Sequence, residues 1–133
     1  MSTVVTVVVG GVVGAHGLGH VLGWMPAWGI TKFEGMSSGS WLLGRLVGEV
    51  GERIAAGTLF LVPMLGFGVA VLGMFTGQAW WRPLATASAG VSLAATALFP
   101  HAFPLSSTIG SVAVNAAVIA LVVSGWGMED AAA

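Results

Sequence analysis

The sequence VVTVVVGGVVGAHGLGHVLGW occupies residues 4–24 and is apolar except for one threonine and two histidines. A membrane-spanning helix needs about 20 consecutive apolar residues, because each residue adds about 1.5 Å to a helix that must cross about 30 Å of hydrocarbon. Within lipid the backbone must satisfy its own hydrogen bonds, so even this valine-rich stretch favours a helix. Residues 4–24 are therefore predicted to form the first membrane span.

The composition of the whole chain indicates an integral membrane protein. Of its 133 residues, 56% are hydrophobic and 7% are charged, whereas a soluble domain typically has about 25% charged residues. Four Lys and Arg residues are too few for a nucleic-acid interface. The absence of cysteine excludes disulfides and thiolate metal sites. We expect residues 1–133 to form a single transmembrane domain.

Three further apolar segments predict an all-α fold, an integral membrane four-helix bundle. The expected spans lie at about residues 53–75, 80–100 and 105–126, and a short interfacial helix over about 41–52 precedes the second span. Tryptophan favours membrane interfaces. In this layout three tryptophans lie at each membrane face, namely Trp24, Trp28 and Trp41 at one and Trp80, Trp81 and Trp126 at the other.

The two histidines that close the first span are its unusual feature. His16 and His20 are four residues apart, so their rings lie on one face of the predicted helix, one turn apart. Ionisable groups are costly within lipid and usually face a protein interior or water. The predicted topology brings His101, at the end of the third span, to the same membrane face, together with Glu52 and Arg53. This group of residues is therefore the strongest candidate for a functional site in the sequence.

Several functions are compatible with this constellation. His16 and His20, completed by His101 or Glu52, would suit zinc, iron, copper or nickel. One histidine of the pair, opposite His101, would suit haem. A quinone carbonyl or a lipid headgroup held by histidine and Arg53 is a further possibility, as is proton relay. In the alternative without a ligand, the histidines form hydrogen bonds to carbonyls or acids and only stabilise the packing of the bundle.

The predicted ligand sets follow from these alternatives. The candidate metal ligands are His16, His20 and His101, and the candidate cofactor-binding residues add Glu52 and Arg53. The sequence does not decide whether the protein is an enzyme. A serine hydrolase has no support, because the serine-rich stretch over 37–40 lacks a nucleophile-elbow pattern.

Polar residues also lie deep in the third and fourth predicted spans. Ser92 and Asn115 are expected at similar depth near the middle of the membrane, so we predict a hydrogen bond between them. Together with Pro63 in the second span, they leave transport of a small solute as a third hypothesis. Four spans would need to oligomerise to form a path.

Several stretches resemble the DoxX-like membrane proteins, a group of small four-span proteins of bacteria. The similar stretches cover most of the chain and are His16–His20, Gly44-Arg45, Gly51-Glu52-Arg53, Trp80–Ala85 and Val112–Asn115. The resemblance implies a shared site at His16, His20 and Glu52, a location in the bacterial inner membrane and an association with quinol-oxidising respiratory machinery. The chain departs from the group in lacking a basic N-terminal tail.

The sequence thus predicts a small polytopic membrane protein whose histidine-lined site binds a metal, haem or quinone. The alternative is a non-catalytic accessory or assembly subunit of a larger membrane complex, which the many small residues on helix faces favour. The expected partners are membrane lipid and either further copies of the chain or other subunits. An excess of Lys and Arg on the histidine-bearing face favours that face as cytoplasmic.

Overall fold

A computed structural model describes residues 2–125, and over them the chain is helical without any strand. The helices are α1 (Thr3–Gly19), α2 (Val21–Ala27), α3 (Leu43–Phe75), α4 (Trp81–Leu98) and α5 (Leu105–Val123). The all-α prediction is confirmed. The expected end of the last span at Trp126 lies outside the described residues.

Helices α1 and α2 continue one another through His20, whose backbone stays in the right-handed helical region (φ −66°, ψ −17°). The Ser2 hydroxyl caps the start by accepting a hydrogen bond from the Val5 N–H at 3.4 Å. Beyond Ala27 the chain turns at Gly29, which has φ +68°, a conformation that favours glycine. The first apolar unit therefore extends to Ala27, beyond the predicted end at residue 24.

Helix α3 has a break near its start. Gly48 has φ 70° and ψ 174°, which separates the short turn before it from the long helix after it. This conformation is accessible essentially only to glycine. The structure therefore places the break at Gly48, whereas the sequence predicted an interfacial helix over 41–52 and a new span from residue 53.

Three helical stretches are long and apolar enough to cross a membrane, namely Thr3–Ala27, Leu43–Phe75 and Leu105–Val123. They indicate an integral membrane protein. Helix α4, which corresponds to the predicted span over 80–100, is not among these three. Helix α4 is less apolar because its buried face carries small and hydroxyl-bearing residues, which include Ser88, Ser92 and Thr96.

Helix α3 packs against α1, α2 and α4, and α4 packs in turn against α5, whereas α1 and α5 touch only lightly. Two buried hydrophobic clusters result, one around Phe67 and the other around Phe60. The light contact between α1 and α5 leaves a groove along one side of the molecule. The candidate site lies where this groove meets the two clusters.

Candidate functional site

His16 and His20 lie against the phenylalanines of α3. The His16 ring centroid is 5.2 Å from that of Phe67, and the His20 ring centroid is 6.3 Å from that of Phe60. The two imidazoles meet edge to face with centroids 5.0 Å apart. His20 is buried, with 4% of its surface exposed, and His16 is half-buried. The prediction that both rings share one helix face is confirmed.

Glycines bring this face close to α3. A Cβ atom on Gly17 would lie 2.8 Å from Phe67 Cβ, and one on Gly23 would lie 2.9 Å from the Phe60 ring. Both distances are shorter than real Cβ contacts, so larger residues would push the helices apart. The small residues therefore set the depth at which the histidines enter the core.

The histidines are joined to polar residues of α4 and α5 in what we call the buried network, formed by His16, His20, Ser92 and Asn115. His16 Nε2 is 3.0 Å from Asn115 Oδ1, and the Asn115 amide donates to Ser92 Oγ at 2.8 Å. Ser92 Oγ is 2.8 Å from His20 Nε2, and His20 Nδ1 is 3.0 Å from the backbone oxygen of His16. The predicted hydrogen bond between Ser92 and Asn115 is confirmed.

The network is self-consistent with both imidazoles neutral. His20 Nδ1 must donate, because its partner is a backbone carbonyl, so His20 Nε2 accepts and the Ser92 hydroxyl donates to it. Ser92 Oγ in turn accepts from the Asn115 amide nitrogen, so Asn115 Oδ1 accepts from His16 Nε2–H. Each of the four side chains then donates one hydrogen bond to an acceptor, as buried polar groups require.

A groove of about 440 Å³ lies between α5 and the α1–α2 unit, beside the network. Its wall is mostly apolar, and its polar positions are His16, His20, Ser107 and Ser111. Within the described residues the wall contains no Lys, Arg, Asp or Glu. A neutral molecule with a small polar part matches these surroundings.

The groove continues along the same pair of helices. A second cavity of about 150 Å³ shares Val12 and Val114 with the first and is lined by aliphatic residues from Val8 to Leu121. We call the two cavities together the seam. From Leu22 to Val8 along the first helical unit, the seam is about 20 Å long at 1.5 Å per residue.

His101 does not join His16 and His20. It lies in the connection between α4 and α5, its side chain is exposed, and its backbone oxygen accepts from the Ser37 N–H at 2.8 Å. Over residues 2–125, no three His, Cys, Asp or Glu side chains come together to hold a metal ion. The predicted three-histidine metal set is therefore not assembled. The haem arrangement, which needs only one histidine of the pair opposite His101, stays a prediction.

The physical reason is depth. Helix α4 ends at Leu98, so His101 lies in the turn beyond it. His20 instead points inwards to Ser92, which is more than one helical turn deeper than that end, and His16 points to Asn115. The predicted grouping at one membrane face did not include this separation along the helix axes.

Glu52 and Arg53 also lie apart from the histidines. The Glu52 carboxylate accepts a hydrogen bond from the Ser40 backbone N–H, and Arg53 Nε donates to the Ala27 oxygen at 3.2 Å. Both therefore fasten the connection between α2 and α3. Phe60, two turns further along α3 than Arg53, lies between this level and His20. Neither charged residue lines the groove.

The sequence prediction missed the pairing of the histidines with Ser92 and Asn115. The signal was available in the depth of each residue: His16 is about 16 Å from the end of α2 at 1.5 Å per residue, which is near the middle of a membrane. Ser92 and Asn115 were already expected at that depth. The four residues could have been grouped on this basis.

Comparisons of the chain with protein-family models, with curated proteins and with solved structures found no match. The assignment of a function therefore depends on the geometry of the site itself. That geometry consists of a buried network, one half-buried imidazole on a groove wall, and an apolar seam.

Proposed function

We propose that the protein binds a membrane-resident isoprenoid quinone in the seam between α1 and α5. The head group would lie against His16, and the isoprenoid tail would lie along the apolar part. The observation that carries this proposal is the position of His16, which belongs both to the buried network and to the wall of an apolar groove.

The size and lining of the groove support a small head group. Ligand sites typically enclose about 300–1,000 Å³ and combine apolar walls with a few placed polar groups, and this groove has about 440 Å³. His16 lies on α1, and Ser107 and Ser111 lie on α5, so polar groups come from both walls. A quinone ring has oxygens at opposite ends and can use both walls.

The charge of the groove favours a quinone over a phospholipid. A phosphate headgroup would normally be held by Arg or Lys, and no such residue lines the groove within the described chain. A metal is disfavoured because, over residues 2–125, no three His, Cys, Asp or Glu side chains come together, and His20 uses both of its ring nitrogens in hydrogen bonds. A purely structural network would not require an imidazole on a groove wall.

The location and architecture in this proposal extend the sequence prediction. We propose that α4 also crosses the membrane, which completes a four-span bundle in a bacterial inner membrane. The resemblance to DoxX-like proteins supports this location and a respiratory association. In this proposal His16 replaces the larger set of five candidate residues as the main contact.

Quinone binding can be measured with the purified protein in lipid nanodiscs. We expect saturable binding of a ubiquinone analogue when the ratio of protein to lipid is held constant. His16→Ala is expected to weaken binding about tenfold. The matched control is His101→Ala, because His101 is exposed and does not line the groove.

Two results would overturn this proposal. One is the absence of saturable binding in the wild-type protein. The other is an equal loss of affinity in His16→Ala and His101→Ala, which would show that the contact is not local to the groove.

A second candidate function is that of an accessory subunit in a larger membrane complex. Glycines on outward helix faces favour it, because a Cβ atom on Gly11, Gly68 or Gly90 would meet nothing within 4 Å. Such positions let another helix approach closely. Purification in mild detergent with mass measurement tests this, and a lone monomer would contradict it.

A further inference from the structure

The donor and acceptor directions of the hydrogen bonds in the buried network all follow from one group that can only accept. The backbone oxygen of His16 can only accept, so His20 must carry its proton on Nδ1. His20 Nε2 is then a bare lone pair, and the Ser92 hydroxyl must donate to it. The direction of each later bond depends on this first contact.

The Ser92 hydroxyl then sets the orientation of Asn115. Because its proton is directed to His20, Ser92 Oγ offers a lone pair to α5, and the Asn115 amide nitrogen donates to it at 2.8 Å. The opposite orientation of the amide would direct its oxygen at that lone pair. Asn115 therefore directs its oxygen towards His16 Nε2, 3.0 Å away.

The orientation of Asn115 determines what His16 presents to the groove. With its proton on Nε2, neutral His16 has a bare Nδ1 that can only accept a hydrogen bond. Over residues 2–125 this nitrogen has no protein hydrogen-bond partner, and His16 is one of the residues that line the groove. The hydroxyls of Ser107 and Ser111, also in the wall, can donate or accept as a ligand requires. His16 is thus the group that discriminates between donors and acceptors.

We propose that the buried network makes the groove select the reduced, hydroxyl-bearing quinol over the oxidised quinone. This inference rests on the proposed function. A quinol hydroxyl donates to His16 Nδ1, whereas a quinone carbonyl would direct its own lone pairs at that nitrogen. Ser92 and Asn115 are positioning residues in this scheme, because they act on the ligand only through His16. His20 also lines the groove, but both of its ring nitrogens are hydrogen-bonded within the network.

The test compares the two redox forms of one ubiquinone analogue on the wild-type protein in nanodiscs. The reduced form is kept under anaerobic conditions with excess dithionite, and the oxidised form is measured in air. We expect the quinol to bind about tenfold more tightly, the ratio for one neutral hydrogen bond against an unpaired acceptor.

Two serine variants distinguish a positioning role of Ser92 from a general effect on protein stability. Ser92→Ala is expected to bring the affinity ratio close to one, because the Asn115 amide is then free to turn. Ser88→Ala is the matched control: Ser88 is one turn earlier on α4, is also buried, and donates only to the Leu84 oxygen at 2.8 Å. It should keep the wild-type ratio.

A spectroscopic arm reads the tautomer directly and needs no ligand. In the ¹⁵N solid-state NMR spectrum of histidine-labelled protein, we expect one imidazole protonated on Nε2, for His16, and one on Nδ1, for His20. The His101→Ala variant removes the third histidine signal. The opposite tautomer on His16 would overturn the inference, whatever the variants do.

The outcomes distinguish this inference from the proposed function. If both redox forms bind the wild-type protein with equal affinity, selection of the quinol is wrong and quinone binding stands. If neither form binds, the proposed function itself fails. A ratio that collapses equally in Ser88→Ala and Ser92→Ala would also overturn the positioning role.

Discussion

The buried network and the charged end of the molecule join their elements through different kinds of hydrogen bond. In the network, three contacts link side chains to side chains across α1, α4 and α5. At the charged end, defined as Glu52, Arg53 and the connection over 28–42, side chains bind backbone groups, as Arg53 does with the Ala27 oxygen. A backbone group is present whatever the residue, whereas a side-chain pair needs both partners.

Because of this difference, the network specifies how three helices pack, whereas the charged end only attaches a connecting segment. The network requires particular residues at particular depths, so it sets the rotation and relative height of three helices. The charged end attaches a connection to the bundle, and Trp41 adds to it by donating from Nε1 to the Ala97 oxygen at 2.8 Å. Substitutions should therefore cost more in the network than at the charged end.

The largest effect is expected for Asn115→Leu. Asn115 is fully buried, and its loss would leave His16 Nε2–H without an acceptor and Ser92 Oγ with only its bond to His20. We expect the free energy of unfolding to fall by about 2 kcal/mol, measured by denaturant titration in detergent. Ser111→Ala, one turn earlier on α5, is the control and should change stability little. If the two variants were equally stable, the buried network would not be more sensitive to substitution than the rest of the molecule.

An intermediate effect is expected for Gly48→Ala, one helical turn before Glu52 of the charged end. Alanine is strained at φ 70° and ψ 174°, so we expect a loss of about 1–2 kcal/mol in a thermal unfolding measurement. Gly68→Ala on the same helix is the control. Gly68 has open space around its Cβ position and should gain up to about 1 kcal/mol from its helical backbone. If Gly48→Ala left the thermal stability unchanged, the fold would not require glycine at this break in the helix.

The smallest effect is expected for Arg53→Gln. Arg53 is exposed and makes a hydrogen bond of 3.2 Å to the Ala27 oxygen, so its loss should cost about 1 kcal/mol or less. Limited proteolysis within the connection over 28–42 should become faster, while quinone binding stays unchanged. Arg45→Gln, also exposed, is the control. Weakened quinone binding in Arg53→Gln would mean that the charged end belongs to the ligand site.

Much of the helical framework could be predicted from the sequence. The apolar run over 4–24, the shared face of His16 and His20, and the bond between Ser92 and Asn115 follow from helical spacing and from depth, which are both linear along the chain. The failure of His101 to join the histidine pair could not be predicted in the same way. It required the true end of α4 at Leu98 and the direction of each side chain.

The sequence by itself therefore determined that residues 2–125 are helical, that the chain is apolar enough for a membrane, and that Ser92 and Asn115 lie at a similar height in neighbouring helices. Tertiary structure decided the rest: the pairing of His16 with Asn115, the separation of Glu52 and Arg53, and the groove between α1 and α5. The physical reason is that composition and spacing act along one helix. The rotation and separation of neighbouring helices depend on close contacts such as that of Gly17 with Phe67.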